Sequence, residues 1–257
     1  MVVTKDRIFW GASQNHNQII EENKLIEEVS GKLCFVRVEI LPPNDDFSKP
    51  TKGWDFYVDQ DILPDWWNPV EYEKRVRESL KSWLKEFVIL SGNHSVENKT
   101  VWIYDNSTVK AYGNSTVKAH DNSTVEADDN STVKAYGNST VKADDNSTVE
   151  AYGNSTVEAY NNSTVKACGN STVEAYGNST VKAHDNSTVK AHDNSTVEAD
   201  DNSTVKAYGN STVKAYGNST VKAYGNSTVK AYGNSNIIKY TRGEVVLTDN
   251  AKMIDRS

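Results

Sequence analysis

Within the repeating half of this chain, the side chains that could ligate a metal or carry a proton are spaced at multiples of eight. His120, Cys168, His184 and His192 occupy one place in a repeating phrase, and Asp128, Asp144 and Asp200 fill the same place in other copies. A metal centre needs three or four ligands converging on one point. Acid–base or nucleophilic chemistry needs unlike groups within hydrogen-bond reach. Sixteen residues per coil would put His184 and His192 on opposite sheets, unable to share a metal. His16 and His94 have no evident partner, and no Ser-His-Asp spacing, phosphate loop or cysteine-based metal pattern occurs. The run Asp55, Asp59, Asp61, Asp65 lacks the glycine and closing glutamate of a calcium loop, so it reads as solvated loop carboxylates. The expectation is a chain with no catalytic residue, no cofactor site and no metal site, and not an enzyme.

The phrase that sets this spacing is Asn-Ser-Thr-Val-(Lys/Glu)-Ala-x-(Gly/Asp/Asn). It runs from Asn106 to Gly233 in 16 copies of eight residues without an insertion or deletion. The copies act as an internal substitution series. Val and Ala never change, whereas the residue between them is Lys or Glu and the residue after Ala is Tyr, His, Asp or Cys. Side chains so unlike in size and polarity predict a solvent-facing site, and the fixed ones predict an interior. The alternation has the period of a strand, with Ser, Val and Ala inward. The closing pair of Gly, Asp or Asn followed by Asn supplies residues that accept a left-handed bend.

One strand cannot bury its own inner face, so two octads, 16 residues, make the simplest closed coil. Coils stacked at about 4.8 Å then form a parallel β-solenoid of two sheets. The phase extends to residues 98–257, which predicts ten coils and a rod on the order of 45 Å long. Residues 234–257 carry larger side chains, as a terminal coil requires. Trp102, Ile238, Val246 and Ile254 stand at outward places held elsewhere by Lys or Glu. They are candidates for cap packing or for self-association, including a homodimer through the C-terminal cap. Each Asn-Ser-Thr also matches a glycosylation acceptor, read here as a by-product of the bend chemistry.

Residues 1–97 follow a different grammar, with all five prolines and five of the six tryptophans. Lys32–Leu41 and Trp54–Asp59 read as strands. Pro69 opens a helix with Val76, Leu80, Trp83, Leu84 and Phe87 along one stripe. An earlier helix is expected over Asn17–Val29 with Ile19, Ile20, Leu25 and Ile26 inward. The whole reads as mainly β: a solenoid preceded by a small α+β head expected to plug the first coil. Trp66 and Trp67, adjacent large aromatics, are the head's candidate binding anchor, although tryptophan in a small domain is more often core.

The net charge is −7, of which residues 1–97 carry −5 and the solenoid −2. That balance disfavours nucleic acid as a partner, and no apolar run is long enough to cross a membrane. Met1–Arg7 is charged and no apolar segment follows, so a cytoplasmic location is expected. The last perfect copies place Lys206, Lys214, Lys222 and Lys230 beside Tyr208, Tyr216, Tyr224 and Tyr232. This basic-aromatic end is the candidate binding surface for an anionic partner.

The octad resembles the repeats of bacterial ice-nucleation proteins, sixteen-residue units that split into octads rich in Gly, Ser, Thr, Tyr and Ala. Those families present Thr-x-Thr rows, whereas the outward row here is Thr, Lys/Glu and Tyr/His/Asp. The layout is similar to uncharacterised bacterial and phage proteins in which a short α+β head precedes an octad solenoid. The resemblance implies a structural or host-interaction role. The expected function is a non-enzymatic intracellular rod that displays its ladders to a protein partner or to itself. The alternatives are an ice- or water-organising protein and a charge-ladder binder or mimic of nucleic acid.

Overall fold

The structure, a computed structural model, describes residues 1–11 and 15–257, apart from the Thr241 side chain. It divides into two units, Met1–Val88 and Ile89–Ser257.

In the first unit β1 (Val2–Thr4), β2 (Ile8–Phe9), α1 (His16–Glu22), β3 (Glu28–Val29), β4 (Lys32–Leu33), β5 (Phe35–Leu41), β6 (Asp55–Val58) and α2 (Pro69–Phe87) follow one another. The antiparallel sheet has the order β2-β1-β5-β6, with Val3 opposite Val36 and Ile40 opposite Phe56. β5 stops before Pro42, which cannot donate to a ladder. Pro69 opens α2 behind the Asn68 cap, whose side chain accepts from the Glu71 N–H. The buried face of α2 is Tyr72, Val76, Leu80 and Trp83; Leu84 and Phe87 are half-buried.

The earlier helix is shorter than its apolar pattern predicts. Asn23 caps α1, and Lys24 turns left-handed at φ 52°. Ser30 and Gly31, at φ 53° and 74°, then close a hairpin between β3 and β4. Two successive positive φ values match the right-handed twist of paired strands, and this turn chemistry overrides the helical spacing. Ile26 is consequently 65% exposed rather than inward.

The second unit is a parallel β-solenoid of two sheets with 11 strands each, odd octads in one and even octads in the other. Thr164–Ala167 pairs in register with Thr148–Ala151 below and Thr180–Ala183 above, so like residues stack sixteen apart. The first sheet begins at Asn93–Glu97, and there Val109 lies opposite His94, fifteen residues back. That coil is one residue short. The second sheet begins at Val88–Ile89.

Every repeat Val and Ala from Val109 to Ala231 is buried, forming one continuous thin core. The repeat Ser is also buried. A hydroxyl in that setting needs a partner, and Ser139 shows the usual solution: Oγ lies 2.6 Å from the Tyr136 carbonyl of its own bend and 3.2 Å from the Ala119 carbonyl of the coil below.

The residue closing each octad has positive φ, from 51° at Asp145 to 71° at Gly169. This explains why only Gly, Asp and Asn appear there. Asp adds a tie between coils, as when the Gly113 N–H donates to Asp129 Oδ2 at 2.9 Å.

At the C-terminal end Val245 stacks on Val229 and Met253 on Ile237. Lys239 and Asp255 take Ala places and pair at 3.3 Å. The Ser257 hydroxyl and N–H, with the Lys239 ammonium, hold the Asp255 carboxyl down at about 2. Charged residues at inward places blunt a sheet edge against further strand addition.

Candidate binding surface

Three outward rows cover each sheet: Thr, then Lys or Glu, then the variable residue. The Lys/Glu rows are laced by ion pairs between coils. Lys110 meets Glu126 at 2.8 Å and Lys134 meets Glu150 at 3.2 Å; Lys190 bonds Glu174, and Lys214 meets Glu198 at 3.4 Å. Exposed pairs of this kind each add little to stability, but they order the surface.

Glutamate also binds the tyrosine two residues on. The hydroxyls of Tyr152, Tyr160 and Tyr176 donate to Glu150, Glu158 and Glu174 at 2.8, 2.9 and 2.7 Å. The bond to a carboxylate pushes the Tyr152 and Tyr176 phenols up to about 12. In return, Tyr152 and Lys134 hold Glu150 below the usual carboxylate range, and Lys190 and Tyr176 do so for Glu174.

The variable position is not simply free. Most of its residues are half-buried, because rings sixteen residues apart stack face to face. On the first sheet Tyr160, Tyr176, His192, Tyr208, Tyr224 and Tyr240 form one stack with centroids 4.8 to 5.1 Å apart. On the second sheet Tyr104, His120, Tyr136 and Tyr152 form another, at 4.7 to 5.3 Å. The site tolerates Asp and Cys because its contacts run along the surface, to neighbours in its own row and in the adjoining Lys/Glu row. Reading the variable residue every sixteenth position would have revealed these stacks; reading it every eighth mixes the two rows.

His120 and His192 are therefore ring-stack members, and His184 lies on the other sheet from His192. Burial raises the Cys168 thiol above its ordinary value, which leaves it a poor nucleophile.

The basic-aromatic end resolves into two patches. Lys206, Tyr208, Lys222 and Tyr224 lie on the first sheet; Lys214, Tyr216, Lys230 and Tyr232 lie on the second. Tyr216 and Tyr232 stack at 4.9 Å. Of the outward apolar residues, Trp102 is buried, with the Lys118 ammonium 4.6 Å from its ring centroid. Ile238 is half-buried beside the exposed Ile254 on the first sheet, and Val246 is exposed on the second.

Trp66 and Trp67 both pack on Tyr72, at 5.2 and 4.8 Å, and Trp66 Nε1 donates to the Leu33 carbonyl at 3.4 Å. They tie the loop before α2 to the helix and are half-buried.

Two further groupings of possible ligands occur among the described residues, and only the one in the head has no signal in the spacing of the sequence. Asp128, Asp129 and Asp145 bring carboxylate oxygens within 4.8 Å of one another. Burial first, then the hydrogen bond and charge of Asp128, raise the Asp145 carboxyl. In the head His16, far from idle, is buried with Nδ1 3.3 Å from Asp59 and Nε2 3.2 Å from the Val38 carbonyl, and Glu39 completes the group. The Met1 ammonium also donates to the Val38 carbonyl, at 3.0 Å. Burial pushes that amine down to about 6 against the pull of Glu39 and Asp59. Residues 16, 39 and 59 come together only through the pairing of β5 with β6 and the seating of α1. No family model, curated protein or solved structure matches this chain.

Proposed function

We propose that the chain is a non-enzymatic rod-like scaffold that works inside a cell, displaying ladders of Thr, Lys/Glu and Tyr/His/Asp to a protein partner or to a second copy of itself. The single observation that carries this reading is the six-ring row from Tyr160 to Tyr240, which runs beside the Lys190, Lys206 and Lys222 row on one sheet. A regular pitch and mixed ring and ammonium groups suit an extended acidic segment that follows the rod axis. Lys206 and Lys222 neighbour each other and belong to no carboxylate pair among the described residues, so they remain available to such a segment. A bacterial or phage source belongs to the same proposal, in keeping with the head-plus-solenoid layout.

The test compares the natural chain with a Lys206→Glu/Lys222→Glu variant, as bait in quantitative capture from a bacterial lysate and in sedimentation. The reading predicts a specific partner, or a dimer, that the variant loses while keeping its circular dichroism. A monomer whose captured proteins are the same for both baits would refute it.

A further inference from the structure

We propose that His16, Glu39 and Asp59 in the head form a site for a first-row divalent transition-metal ion. The three donors come from the first turn of α1, from β5 and from the residue after β6, and their ligand atoms all lie within 4.8 Å of one another. The far side of the imidazole fixes its tautomer. Nε2 lies 3.2 Å from the Val38 carbonyl oxygen, which can only accept, so Nε2 carries a proton. A neutral ring then presents an unprotonated Nδ1, 3.3 Å from Asp59 Oδ2. Backbone hydrogen bonding of the distal nitrogen is how metal-binding histidines are oriented.

His16 is 9% exposed, its Nδ1 faces Asp59 Oδ2 at 3.3 Å, and a Glu39 carboxylate oxygen lies within 4.8 Å of the group's other ligand atoms. Three facing Lewis bases repel unless a cation sits among them. The Met1 ammonium is near enough for Glu39 and Asp59 to pull on it, but its hydrogen bond goes to the Val38 carbonyl and it bonds neither carboxylate. A proton on Nδ1 would satisfy Asp59 and leave Glu39 with no hydrogen-bond partner among the described residues. A divalent ion satisfies all three. One imidazole nitrogen with two carboxylates selects zinc, cobalt or manganese over magnesium or calcium, which prefer all-oxygen sites. Asp59 is exposed, so the remaining coordination positions open to water. This assignment is independent of the rod's display role.

Untagged full-length protein, freed of metal by chelation, is titrated with Co2+ followed by visible absorption and with Zn2+ followed by calorimetry. The expected result is one equivalent whose affinity falls at least about tenfold in Asp59→Asn and in His16→Gln, since even outer-shell losses cost about 10–100-fold. Asp145→Asn, in the acidic group of the solenoid, should leave that equivalent unchanged. Nitrogen NMR of His16 should show Nδ1 unprotonated and shifted by Zn2+, with no response to Mg2+. If His16→Gln fails to fold, the exposed Asp59→Asn still decides the matter. A protonated Nδ1 in the presence of Zn2+, or a Zn2+ affinity unchanged by Asp59→Asn, would overturn the proposal and leave an imidazolium–carboxylate pair only.

Discussion

Tyr208 and Tyr224 stand sixteen residues apart in the chain, yet their ring centroids are 5.0 Å apart and their planes lie within 8° of parallel. Strand spacing in a parallel sheet, about 4.8 Å, sets that distance. The rings add contact to what the backbone hydrogen bonds already fix. A residue that varies freely from copy to copy thereby becomes part of a continuous, half-buried row, and a period in the sequence becomes a pattern on a surface.

His192 tests how much those rows contribute. It stacks on Tyr176 at 4.8 Å and on Tyr208 at 5.0 Å. Asp occupies the same place at Asp128 and Asp144, so His192→Asp should preserve the fold. It should cost about 1–3 kcal/mol for two lost aromatic contacts. The near-ultraviolet dichroism of the tyrosines should fall with it. Cys168→Asp, which breaks no ring contact, should cost clearly less in the same urea titration.

Val165 and Lys166 are adjacent in one strand and opposite in role. Val165 is fully buried, whereas Lys166 is exposed between Glu150 and Lys182. Val165→Asp places an unpaired carboxylate in a thin apolar core and should destabilise the solenoid by more than about 3 kcal/mol. Lys166→Glu should stay within about 0.5 kcal/mol. Equal losses in chemical denaturation would mean that the inward and outward assignments are mistaken.

Gly153 isolates the backbone demand of the corner. Its φ is 68°, and an added Cβ would come 3.0 Å from the Gly137 carbonyl oxygen. Gly153→Val should cost about 1–3 kcal/mol, because a branched side chain resists the left-handed region. Gly153→Asn should cost less than half as much, since Asn161 already holds φ 54° at an equivalent corner. Thermal unfolding of the two variants side by side measures the difference.

The repeat makes the solenoid legible, because sixteen copies separate what the interior fixes from what the surface varies. The in-register pairing of Val165 with Val149 and the fully buried Ser row follow directly from that comparison. The ring stacks are hidden by the choice of period: an eight-residue reading interleaves Tyr208 with Tyr216, which lie on different sheets. In the head, α2 follows from its apolar stripe and its Pro69 start. The apolar spacing of Ile19, Ile20, Leu25 and Ile26 suggests a longer α1, but the left-handed Lys24 and the Ser30-Gly31 turn decide the local structure. The His16, Glu39 and Asp59 group depends on three distant segments meeting, which no local pattern encodes.

Alkaline titration should expose the Tyr–Glu bonds. The Tyr152 and Tyr176 phenols sit at about 12 rather than near 10 because each donates to a carboxylate. A phenol whose pKa is raised in the folded chain adds stability that is complete below about pH 10 and is lost as pH climbs through about 12. Tyrosinate absorbance should therefore show Tyr152 and Tyr176 among the late-ionising phenols. Glu150→Gln should bring the Tyr152 ionisation back toward 10 and leave that of Tyr176 in place.

Everything displayed by the rod rests on sixteen residues making one coil, and disulfide trapping measures this directly. In a Cys34→Ser/Cys168→Ser background, Lys206→Cys/Lys222→Cys places two thiols on neighbouring strands in register. A Cα separation of about 4.8 Å lies inside the range of about 4.4–6.8 Å that a disulfide spans. Lys206→Cys/Lys214→Cys places them on opposite sheets, whose backbones lie about 10 Å apart. Mild oxidation of dilute protein should close an intramolecular disulfide in the first variant and not in the second. Closure in the second variant, or equal closure in both, would contradict the two-octad coil and with it the ladders on which the proposed function depends.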